Sequence, residues 1–120
     1  MNESLRININ KKRIRGHIRV FKYRDKDTRQ IVLFAPSLEI TAYGATEKKA
    51  WDMFKFSIND FSKFLIELPT KKIETELGKL GWKHDKIKNK EYSKSYVDTN
   101  GNLKNFNAVA DKVEEELVTV

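Results

Sequence analysis

From residue 14 to residue 24 the chain reads IRGHIRVFKYR, and its side chains fall into two sets. Ile14, Gly16, Ile18 and Val20 share one side of an extended segment; Arg15, His17, Arg19 and Phe21 share the other. A period of two predicts a half-buried strand with a basic outer face. The polar run Asp25–Arg29 has the composition of a hairpin turn. Ile31–Ala35 is short, apolar and uninterrupted, which suits a strand covered on both sides. Pro36 and Ser37 interrupt it. Leu38, Ile40 and Ala42 then alternate with Glu39, Thr41 and Tyr43 as a third short strand. Residues 5–9 also alternate and add an edge strand.

After Gly44 the period changes. Ala50, Trp51, Phe54, Ile58, Phe61, Phe64, Leu65 and Leu68 recur at spacings of three and four, one broad stripe on a helix of about six turns. Thr46 is placed to cap its first turn, and Glu47 puts negative charge where the helix dipole favours it. Met53 and Phe56 lie off the stripe, widening the buried face or forming a contact surface. Pro69 ends the helix near Glu67. Thr70 caps a second, shorter helix with Ile73, Leu77 and Leu80 as its apolar positions, closed at Gly81 before Trp82. Residues 83–105 are rich in Lys, Asn and Ser and read as a basic loop, with a strand at Tyr92–Val97 and a turn at Asn100-Gly101. Residues 106–120 admit a helix over 108–117 or a strand. The β-formers at Glu116–Val120 tip the balance toward strand. The pattern is an α+β fold: a three-stranded antiparallel sheet, a long packed helix, a short second helix and a further C-terminal strand. Its 120 residues make a single domain with its core over 14–82.

Charge changes the picture more than composition does. Thirteen aromatic residues argue against disorder. The net charge of +7 is unevenly distributed: residues 1–30 carry +7, 31–69 carry −1, 70–105 carry +4 and 106–120 carry −3. Lys11, Lys12, Arg13, Arg15 and Arg19, with Phe21 among them, form a basic strand face of the kind that tracks a nucleic-acid backbone and stacks bases. The same charges also serve to defend an exposed sheet edge against pairing.

Few groups could do bond-making chemistry. The chain has no cysteine, which excludes disulfides, thiolate zinc sites, iron–sulfur clusters and a thiol nucleophile. Its two histidines, His17 and His84, stand far apart, so neither a metal nor another cofactor is expected. The glycines are scattered, and no strand-borne set of carboxylates converges as a two-metal nuclease requires. The expectation is a protein without enzymatic activity. No apolar run approaches a membrane span, and the first residues lack the apolar segment of a signal peptide. A cytoplasmic protein without a membrane partner is expected.

The stretch Phe34-Ala35-Pro36-Ser37-Leu38, a short strand, Gly44-Ala45-Thr46 and then Glu47 and Ala50 resembles the HicB-like antitoxin family. Thr70, Leu77 and Leu80-Gly81-Trp82 look like a Bacteroidetes-type branch of it. The resemblance covers residues 14–82. It implies a partial RNase H-like fold without that fold's catalytic carboxylates. It also implies a non-catalytic antitoxin that sequesters a small basic, RNA-cleaving toxin by protein–protein contact. Glu39, Glu47, Asp52 and Asp60 are the acidic candidates for such docking. Many family members add a helix-turn-helix or ribbon-helix-helix segment, and no pair of amphipathic helices about a glycine turn follows Trp82 here. The family often forms homodimers, for which Ile7, Ile9 or the last strand would pair across a two-fold axis. Two further readings stand beside the antitoxin: a basic RNA- or DNA-binding module, and a degenerate RNase H-like enzyme.

Overall fold

The computed structural model describes residues 3–84, 91–94 and 106–120. Strands β1 (Glu3–Asn8), β2 (Arg13–Asp25), β3 (Ile31–Ala35) and β4 (Ile40–Gly44) precede helices α1 (Glu47–Ile66) and α2 (Thr70–Lys79). Strands β5 (Lys83–His84), β6 (Glu91–Lys94) and β7 (Ala108–Thr119) follow. All seven strands belong to one antiparallel sheet. The α+β class and the C-terminal strand expected from the sequence are both present. The expected turn at Asn100-Gly101 lies outside the described residues, as does Val97.

β2 organises the sheet. Gly16 stands opposite Leu5 of β1 and also exchanges backbone hydrogen bonds with Val120, at 2.9 and 3.3 Å. Phe21 stands opposite both Phe34 of β3 and Glu115 of β7. A strand has two edges, so β1 and β3 share one edge of β2, end to end, and β7 runs along the other. β1 therefore is not the edge strand its alternation suggested, because β6 pairs with its far side. That pairing covers Glu3 to Arg6 and does not extend to Ile7 among the described residues.

The core lies between the sheet and the helices. Ile18, Val20, Leu33, Ala35 and Ala42 of the sheet meet Ala50, Phe54 and Leu65 of α1 and Ile73 and Leu77 of α2. Thr46 caps α1 through its hydroxyl, which accepts from the Lys49 N–H at 3.2 Å. Gly44 lets the helix start close to the sheet: a Cβ there would stand 2.5 Å from the Ala50 nitrogen. Thr70 is the first residue of α2 rather than its cap; Pro69 occupies the cap position and offers no hydroxyl. At the other end Trp82 N–H donates to Leu77 O at 2.9 Å and Gly81 N–H to Gly78 O at 3.0 Å. With Gly81 at φ 92°, this is a Schellman closure. It aims Trp82 into the core, where its indole N–H donates to Ser37 O at 3.0 Å.

Two sequence expectations for packing are corrected. Phe64 leaves the apolar stripe and is 55% exposed: at about 100° per residue it points well away from its neighbour Leu65, which is fully buried. The outer face of β2 is not open along its length: Arg19 and Phe21 are 3% and 1% exposed. Among the described residues, no helix is long and apolar enough to cross a membrane.

Candidate functional site

The hairpin of β1 and β2 concentrates positive charge on one face. Its register sets Asn8 opposite Arg13, Arg6 opposite Arg15 and Ser4 opposite His17. Side chains two apart on a strand share a face, so Arg6, Arg13 and Arg15 lie together on the side away from α1. Lys11 and Lys12 occupy the connecting turn. Lys11 N–H donates to the Asn8 Oδ1 at 3.2 Å, and Lys12 takes a φ of 48°. All five cations are exposed, and no ion pair reaches any of them among the described residues. Glu91 holds the register position opposite Arg6 on β6. Beyond the arginines, His17 Nδ1 lies 3.2 Å from Thr119 Oγ1 of β7. Ser4, Arg6, Arg15, His17 and Thr119 line a cavity of about 310 Å³.

Two residues expected in this interface lie outside it. The Arg19 Nε pairs with Glu115 of the neighbouring strand β7 at 2.7 Å. Phe21 joins an aromatic cluster around Phe106, at a centroid distance of 5.7 Å. Tyr23 stacks on the same ring at 5.0 Å, and Phe34 meets it edge-on at 5.9 Å. Burial among these rings raises the Tyr23 pKa, with a smaller push from Asp25. Neither Arg19 nor Phe21 is placed to meet a ligand. The covering residues come from the far end of the chain, where the β2 sequence carries no sign of them. Arg6, which the basic-segment reading omitted, belongs to the face; its signal was the alternation of LRINI.

The acidic candidates do not form one patch. On a helix turning about 100° per residue, Glu47 lies about 140° from both Asp52 and Asp60. Glu47 is paired with Lys22 at 2.7 Å, and Lys22 also reaches Glu114 at 3.1 Å. Those hydrogen bonds, with Glu47 first, raise the Lys22 pKa. Asp52 is paired with Lys48 at 3.1 Å. Glu39 sits in the turn between β3 and β4 with a φ of 53°. Asp60 stands between Phe56 and Phe64 at spacings of four on the outer side of α1, and Phe56 is 66% exposed. His84 Nδ1 lies 2.6 Å from Glu74 Oε1, joining β5 to α2.

Among the described residues no cluster of three or more His, Asp or Glu side chains is arranged to hold a metal ion. No family model, curated protein or solved structure matches the chain.

Proposed function

We propose that this chain is a non-catalytic binding module for nucleic acid, held on the cationic face of the β1–β2 hairpin. The observation that carries the reading is the register pairing of Arg6 with Arg15. Like charges directly opposite each other in an antiparallel pair destabilise it. Arg13, Lys11 and Lys12 extend the same charge to the hairpin tip. A polyanion relieves the repulsion and releases counterions as it binds.

The test is fluorescence anisotropy with mixed-sequence single-stranded RNA and DNA across a salt series. Engagement of the five cations by a single strand predicts an affinity loss of roughly 100-fold between 50 and 200 mM salt. Binding that ignores salt, or no binding at low salt, sinks the reading. Divalent-ion-dependent cleavage of either strand would overturn its non-catalytic part.

A second reading follows the HicB-like resemblance: sequestration of a small basic protein. It is supported by the exposed row Phe56–Asp60–Phe64, two aromatics flanking a carboxylate on a helix whose other side is buried. Under it, a small basic protein co-purifies at fixed stoichiometry after nuclease treatment, and Phe56→Ser with Phe64→Ser releases it. Retention unaffected by that pair of substitutions would count against the row.

A further inference from the structure

We infer that Arg6 and Arg15 form the seat of one phosphate group, with His17, Ser4 and Thr119 completing it. The inference rests on the nucleic-acid reading for its ligand class and goes further in naming the contacting atoms' chemistry. Two arginines at directly opposed positions have Cβ atoms about 5 Å apart. Each guanidinium is a planar fork of donors with no acceptor, so the two cannot bond to each other. A tetrahedral phosphate ester accepts from both forks at once and converts repulsion into two charge-assisted contacts.

The rest of the cavity fits the same group. Ser4 brings a hydroxyl to its rim, and Thr119 holds the His17 ring. The His17 Nδ1 is occupied by Thr119 Oγ1 at 3.2 Å, which leaves Nε2 as the ring nitrogen that can meet a ligand. Gly16 lies in the floor, where a Cβ would come 2.0 Å from Ser4 O. The missing side chain therefore allows β1 and β2 to close beneath the seat. A volume of about 310 Å³ is at the small end of ligand sites, enough for a phosphate and its attached sugar.

The seat also has a chemical limit. Among the described residues its lining holds no Phe, Tyr or Trp, and Phe21 on β2's outer face is buried against Phe106. Bases have nothing there to stack on. The seat reads the phosphodiester backbone and positions a strand without selecting its sequence.

The experiment is a ¹⁵N NMR titration of the full chain with inorganic phosphate and, separately, with a mixed-sequence single-stranded DNA. Wild type is compared with Arg15→Glu, Arg6→Gln and the tip variant Lys11→Ala/Lys12→Ala. Both titrants are expected to shift the amides of Ser4, Arg6, Arg15, Gly16, His17 and Thr119. Each arginine variant should weaken both titrants about tenfold or more, without lowering the melting temperature. The tip variant should weaken the DNA alone. DNA binding that survives both arginine variants overturns the seat and leaves the nucleic-acid reading standing. Phosphate binding at the seat without DNA binding upholds the seat and overturns that reading, making the ligand a free phosphate or nucleotide. Absence of both overturns both.

Discussion

The Glu3 carboxylate accepts the Arg19 backbone N–H at 3.0 Å, with both residues buried. Arg19 falls at the gap where β1 ends along the edge of β2 and β3 has not yet begun. Its N–H has no neighbouring strand to donate to, and the side chain of Glu3 supplies the missing acceptor. One carboxylate thus closes the seam between the two strands that share this edge.

Replacing Glu3 with Ala leaves a buried N–H unsatisfied, at a cost of about 1–3 kcal/mol. Glu3→Gln keeps an acceptor oxygen and should lose less. Urea denaturation of the two variants measures the difference. Equal midpoints for Ala and wild type would mean that water fills the seam.

Arg15→Glu should stabilise the fold while it weakens phosphate binding. It replaces a like-charged cross-strand pair with an opposite-charged one, a change of about 0.2–1 kcal/mol in favour of folding. A thermal melt beside the binding assay tests the opposite signs. A destabilised Arg15→Glu protein would show that the arginine serves the fold.

Asp25 lies at the start of the β2–β3 turn. Its Oδ2 accepts from Thr28 N–H at 2.8 Å and from Asp27 N–H at 3.0 Å. These bonds, the Thr28 backbone bond foremost, hold its pKa below the ordinary 3.8. A lowered folded-state value stabilises the native chain above pH 3.8, and that stability disappears as pH falls through the folded value. Asp25→Asn should flatten the acid limb of a stability–pH curve below about pH 4. Parallel curves for the two proteins would refute the linkage.

Lys22 gives the opposite slope. Its pKa is raised above 10.5 by Glu47 and then Glu114, so its contribution is full below 10.5 and is lost as pH climbs through the folded value. Both carboxylates are largely exposed, which holds the contribution to about 1 kcal/mol or less. Lys22→Met should melt lower at neutral pH and lose less than wild type on further alkalinisation. Unchanged alkaline behaviour would assign the loss to another group.

Trp82 ties the end of α2 to the turn after β3. Trp82→Phe keeps most of the buried ring but leaves Ser37 O without its donor, a loss of about 1 kcal/mol. Denaturant midpoints read it directly; no change would place water at that carbonyl.

Elements whose causes are local were legible in the run of residues alone. Alternation over 14–24 and the apolar run 31–35 define β2 and β3, because strand period is a property of consecutive residues. Thr46 and Gly81 mark a helix start and a helix end through bonds that span only a few residues. Tertiary structure decided what covers what. Whether β1 is an edge depends on β6, and Arg19 and Phe21 are buried by Glu115 and Phe106. The Arg6–Arg15 pair exists only through the register of two strands, and His17 meets Thr119 across 102 residues. A period of two assigns side chains to faces, but it carries no information about which distant segment, if any, covers each face.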